Sequence, residues 1–248
     1  MSSATTIMAE DSSRATLFTA RTPLVGREAE LARLEHYLRA RGERHFVYYW
    51  ADGGLGKTRL LDHTDTHSNS DVEQAIVQGF DPEGRWFPRY RSERSQYSRI
   101  RERGADPSEL ERRRKLLSGF FVEECNRMAQ EAHKLVLCFD TIELLQYESS
   151  VVEERARLDE IDARLKPWLL NTLPQLHNVL VVFAGRPQPP SPDDASVNLH
   201  ARLLGDMETA FGGEDSHWEA IELKPFTLVE TEAFIHALSG ARELIPAA

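Results

Sequence analysis

Residues 50–58, Trp50-Ala51-Asp52-Gly53-Gly54-Leu55-Gly56-Lys57-Thr58, constrain this chain more than any other stretch. The apolar run Phe46-Val47-Tyr48-Tyr49-Trp50 reads as a strand, and Gly53, Gly54 and Gly56 break it abruptly. Glycines let successive backbone N–H groups curl around an anion without side-chain obstruction. A helix opening at Thr58 would aim its N-terminus at the same anion. In such a loop Lys57 supplies a point charge to the β/γ-phosphates, and Thr58 offers a hydroxyl to Mg²⁺. Leu55 and Arg59 flank these positions and belong to the same nucleotide-contacting stretch. Ala51 stands where the strict pattern has glycine, a relaxation of the motif. The pattern implies binding of a nucleoside triphosphate.

Bulk properties narrow the setting. A chain of 248 residues is long enough for one large α/β domain with a real core. Its net charge of −10 disfavours a protein that coats nucleic acid or a membrane surface, because the overall field repels phosphates. Cys125 and Cys138 lie in apolar contexts and read as reduced, buried residues of a cytoplasmic protein. No apolar run is long enough to span a bilayer, so no membrane is expected as partner. Residues 1–20 are rich in Ser, Thr and Ala and lack the basic and apolar regions of a secretory signal; they read as a disordered leader before a domain over 21–248.

Strand and helix patterns alternate through the domain. Val25 to Leu38 places Leu31, Leu34 and Leu38 on one helical face. Phe46–Trp50 is the first strand, the helix after the loop runs from Thr58 to about His63, and Glu73–Phe80, with Ala75-Ile76-Val77, reads as the second strand. A long helix from about Leu110 to Ala132 carries Leu117, Phe121, Cys125 and Met128. Leu135–Phe139 is the third strand, a helix follows through Leu158, Ile161 and Leu165, Val179–Phe183 is the fourth strand, Ala220–Leu223 the fifth, and Thr231–Leu238 a short helix. This rhythm implies βαβ units and a parallel sheet.

A phosphate loop needs a carboxylate that holds Mg²⁺ through its water shell, placed at the end of a buried strand. Leu135-Val136-Leu137-Cys138-Phe139-Asp140 has that form. Hydrolysis also needs a group that orients the attacking water. An acid often follows the magnesium Asp directly, but here that place is Thr141, and the next carboxylate is Glu143. Glu143 reads equally well as the water-orienting acid or as a solvated first-turn residue of the next helix. After the fourth strand comes Ala184-Gly185-Arg186, and Arg186 suits a sensor of the terminal phosphate because Arg makes bidentate contacts with phosphate oxygens.

Together, Pro23-Leu24-Val25-Gly26-Arg27-Glu28, GGLGKT, VLCFD, VVFAGR and Leu223-Lys224-Pro225-Phe226 resemble the STAND ATPases, relatives of AAA+ and NB-ARC modules. The resemblance covers roughly Pro23 to Leu238, and its most specific part is the V-G-R-E box, which kinases and small GTPases lack. It implies a three-layer P-loop NTPase sandwich with a parallel five-stranded sheet in the order 5-1-4-3-2. It places Val25, Gly26 and Arg27 over the adenine, makes Pro225 the crossover residue before a helical lid, and implies ATP and Mg as ligands. It also implies that the lid and downstream modules are lacking here, and that protein partners or self-association accompany a signalling or assembly switch.

Other readings stand beside this one. Thr141 leaves room for a nucleotide-binding interaction module without turnover. A small-molecule or nucleotide kinase needs an arginine-bearing lid, for which the basic insertion over about 81–115 is the candidate. Between Arg85 and Lys115 there are eleven Lys/Arg against five Asp/Glu, interleaved with Trp86, Phe87, Tyr90 and Tyr97. That mixture suits single-stranded nucleic acid. Pairing with the protein's own acidic surface or a partner's is the favoured alternative. His63 and His67 share a helical spacing that suits a metal, but without the accompanying Glu they read as ordinary polar residues.

Overall fold

Two rows of side chains alternate along the strands and set the architecture. On β1 (Arg44–Trp50), Phe46 and Tyr48 join one buried cluster while Val47 and Tyr49 join another. On β3 (Val179–Gly185), Val179, Val181 and Phe183 join the first cluster, and Leu180, Val182 and Ala184 the second. Strands apolar on both faces belong in a parallel sheet covered by helices on each side. The computed structural model has that arrangement. It describes residues 26–52, 69–131, 134–146, 159–187 and 198–242.

Among the described residues the sheet has four parallel strands in the order β2-β3-β1-β4, with β2 at Leu135–Phe139 and β4 at Ser216–Glu222. Read from the other edge, this is the expected order 5-1-4-3 without the second strand. The segment expected as that strand is instead part of helix α2 (Asn69–Phe80). Val72, Ile76, Val77 and Phe80 are all buried in one cluster, the spacing of a helical face. A strand would have turned Ile76 and Val77 to opposite faces.

One face of the sheet is covered by α1 (Glu28–Arg39) through Leu34 and Tyr37. The other buries residues of α2, α3 (Pro88–Glu102), α4 (Pro107–Glu131), α5 (Asp159–Thr172) and α6 (Leu199–Phe211). Phe46, Phe183 and Phe211 stack successively there, with ring centroids 4.4 and 5.5 Å from Phe211. Each fully buried side chain of this size contributes about 1.5–3 kcal/mol. Pro167 lies inside α5. The terminal helix α7 runs from Leu228 to Arg242, beyond both ends of the expected one.

The basic segment folds as α3 and α4, packed on each other. Buried Asp81 accepts the backbone N–H groups of Arg85, Trp86 and Phe87 at 2.7, 2.8 and 3.0 Å. Glu124 of α4 accepts those of Arg89 and Tyr90 at 3.1 and 3.0 Å. Asp81 thus fixes the approach to α3 and Glu124 holds its first turn, where the helix dipole favours negative charge. Many of the arginines meet the chain's own acids: Arg113 with Glu93 at 2.7 Å, Arg112 with Glu109 at 2.7 Å, Arg89 with Glu123, Arg114 with Glu111. Phe87, Tyr90 and Tyr97 are core residues, not exposed stacking platforms. No described helix is long and apolar enough to cross a membrane.

Candidate functional site

In a parallel sheet the crevice outside the carboxyl ends of the strands is where ligands bind. Four expected features converge at that end. β1 ends at Trp50 and leads through Ala51 toward the glycine-rich stretch; β3 ends at Gly185, directly paired with Trp50. The Ala51 N–H donates to the Gly185 carbonyl at 3.3 Å, and the Leu223 N–H to the Trp50 carbonyl at 2.9 Å. Asp140 follows the last residue of β2, on the far side of β3. Val25, Gly53, Gly54, Leu55, Gly56, Lys57, Thr58 and Arg59 lie outside the described residues, as do the helix expected after the loop and the His63/His67 pair.

Asp140 Oδ1 accepts the N–H of Thr141 at 2.8 Å. Thr141 has φ 62°, the left-handed region that a β-branched residue rarely enters. Such strain concentrates at functional sites, where the surroundings hold it in place. Here it turns the chain sharply off the end of β2 into the 3₁₀ turn Ile142–Gln146, which carries Glu143. As a hard carboxylate oxygen donor at a strand end, Asp140 fits Mg²⁺, which keeps its own waters and takes one or two protein carboxylates beside substrate phosphates.

Glu143 is buried, at 6% exposure, and so is not the solvated helix residue of the alternative reading. Its Oε2 accepts the backbone N–H of Arg186 at 3.2 Å, and its Oε1 lies 3.9 Å from Arg186 Nε. The two residues that sequence reasoning picked separately are therefore one unit across the ends of β2 and β3. Gly185 makes this approach feasible: a Cβ there would stand 2.9 Å from the Tyr48 hydroxyl and 3.2 Å from Glu143 Oε2. The Arg186 side chain is more than half exposed.

The V-G-R-E box meets the crossover step after β4. Arg27, only 7% exposed, donates from Nη2 to the Lys224 carbonyl at 2.9 Å and lies 4.8 Å over the Phe226 ring. Gly26 has φ +72°, and a Cβ there would meet the Phe226 ring at 3.1 Å. Glycine is demanded twice, by backbone and by space. Pro225 lies exposed in the connection between β4 and α7.

Sequence reasoning missed two residues of this region. Among the described residues, the Tyr48 hydroxyl and both ring nitrogens of His200 are buried with no hydrogen-bond partner. An unsatisfied buried polar group costs about 1–3 kcal/mol, so it calls for an explanation. Burial pushes the Tyr48 hydroxyl pKa up, with the nearby Glu143 charge acting in the same direction. Burial pushes the His200 imidazole down. The available signal was the pair of phenols, Tyr48 and Tyr49, inside a buried parallel strand; nothing in the sequence marked His200.

No curated protein matches the chain. A family profile described as an AAA ATPase domain matches residues 23–182, more than half of the sequence. The match takes in the V-G-R-E box, the glycine-rich loop and the strand ending at Asp140, and the chain belongs to the AAA ATPase domain family.

Proposed function

We propose that this ATP-binding AAA ATPase domain is an ATP-hydrolysing switch of the STAND type. The observation that carries the reading is Arg27, which ties the V-G-R-E box to the Lys224–Phe226 step by a hydrogen bond and a cation–π contact. A box that covers the adenine and also grips the connection into the last helix couples nucleotide occupancy to the position of that helix. Contacts made in one nucleotide state only would shift a two-state equilibrium.

In this reading Val25, Gly26 and Arg27 flank the base with Pro225, while Gly53, Gly54, Leu55, Gly56, Lys57, Thr58 and Arg59 cradle the phosphates. Thr58 would hold Mg²⁺ through its hydroxyl, and Asp140 through water. Bound Mg²⁺ would neutralise charge developing on the β- and γ-phosphates. Arg186 senses the terminal phosphate and Glu143 orients the water, the two being mutually bound at 3.2 Å in the present arrangement.

The test is phosphate release and nucleotide binding by the whole chain against a Lys57→Ala control. Turnover above the control, with ATP and ADP giving different protease cleavage near residues 223–242, supports the switch. Nucleotide binding with no release above the control supports the second reading, a binding module without turnover, which Thr141 in place of a second acid favours. Phosphate transfer to an added acceptor would replace both with a kinase.

A further inference from the structure

His200 and Tyr48 come from different elements and meet at the carboxyl end of the sheet. Tyr48 lies on β1, two residues before Trp50; His200 lies in the first turn of α6, after the Asn198 cap whose side chain accepts the Ala201 N–H at 2.9 Å. The His200 ring centroid is 4.8 Å from Trp50 and 6.0 Å from Tyr48. Trp50 leads into the glycine-rich stretch, and α6 packs against the turn that carries Glu143. Tyr48 is fully buried and His200 is 8% exposed, yet neither side chain has a hydrogen-bond partner among the described residues.

Phenylalanine would fill the position of Tyr48 without stranding a hydroxyl, and an apolar ring would pack against Trp50 as the tilted His200 ring does. Two unsatisfied polar groups side by side are instead suited to a ligand that completes them. The N-terminal turn of α6 adds a field that favours an anion and disfavours an imidazolium. A neutral imidazole offers one donor and one acceptor, and the phenol offers one donor more. We propose that His200, with Tyr48 beside it, is a positioning group of the ATP site that hydrogen-bonds the terminal phosphate of a bound nucleoside triphosphate through a water molecule. This rests on the ATP-binding reading above, and it assigns to His200 a role distinct from those of Glu143 and Arg186.

The test uses the full chain with Mg²⁺ and either a non-hydrolysable ATP analogue or ADP. His200→Phe is expected to weaken triphosphate binding about 5–10-fold, the size of one or two lost hydrogen bonds, and to leave ADP binding within about 2-fold. Tyr48→Phe is expected to act in the same direction more weakly, and His200→Gln, which keeps a donor and an acceptor, to retain most of the affinity. In the unsubstituted chain, the His200 ring resonance, assigned by its loss in His200→Gln, is expected to shift with the triphosphate analogue and not with ADP; this readout holds even where His200→Phe fails to fold. Equal binding of both nucleotides by His200→Phe and the parent, an equal loss for both nucleotides, or an unmoved His200 resonance overturns the proposal while leaving ATP binding intact. Failure of the parent chain to bind either nucleotide overturns the ATP-binding reading itself, and this inference with it.

Discussion

Glu143 accepts the Arg186 backbone N–H at 3.2 Å while the Arg186 guanidinium stands 3.9 Å from its other oxygen. In the proposed mechanism, one carboxylate that both orients water and anchors the sensor backbone would link the two jobs: a phosphate that draws the guanidinium away would change the electrostatic load on the carboxylate. Glu143→Gln keeps an oxygen to accept the Arg186 N–H but removes the charge. In the proposed hydrolytic mechanism, phosphate release is expected to fall on the order of 100-fold, the scale of a lost general base, with nucleotide affinity nearly unchanged. Release at the parent rate would remove Glu143 from the water-orienting role.

The contact between Arg27 and the Lys224 carbonyl joins residues 197 positions apart. Arg27→Ala strands that carbonyl and removes the cation from the Phe226 face. A loss of roughly 2 kcal/mol in unfolding free energy is expected by urea titration. Arg27→Lys keeps the charge but not the planar contact and should recover only part of it. Full recovery by Lys would show that charge alone matters.

Thr141 holds φ 62° with its side chain exposed, so the cost of this conformation is not repaid by packing. Thr141→Gly keeps the N–H that Asp140 accepts and relieves the strain. The greater freedom of an unfolded glycine offsets part of the gain, leaving a stabilisation of about 1 kcal/mol. Thr141→Val should remain strained. A lower urea midpoint for Thr141→Gly than for the parent would contradict the argument.

The strands were legible because β1, β2 and β3 are continuous apolar runs that only a doubly covered sheet buries. The segment at Ala75-Ile76-Val77 was misread because three apolar residues fit either period; the discriminating positions, Val72 and Phe80, lie at its margins. Asp140 and Arg186 were legible as strand ends. The union of Glu143 with Arg186, the grip of Arg27 on the Lys224 carbonyl and the meeting of Tyr48 with His200 are products of tertiary packing between distant segments, and local sequence carries no register for them.

Glu73 provides a stability test away from the strand ends. It is 1% exposed on α2, and its Oε1 accepts both the Ser118 hydroxyl at 2.5 Å and the Trp168 indole N–H at 2.7 Å. Burial pushes its pKa up from 4.5 to about 7, against the opposing pull of these hydrogen bonds and of Arg94. The folded state therefore holds a proton that the unfolded chain releases between pH 4.5 and about 7. This group's contribution is fully present below pH 4.5 and is lost as pH rises through about 7. At about 1.4 kcal/mol per unit, the loss is on the order of 3 kcal/mol. Glu73→Gln keeps an oxygen for both donors and cannot ionise. Its urea midpoint should match the parent's near pH 5 and exceed it at pH 8, with the difference opening across this window. A variant equally destabilised at both pH values would show that Glu73 is held charged in the fold and that its partners outweigh its burial.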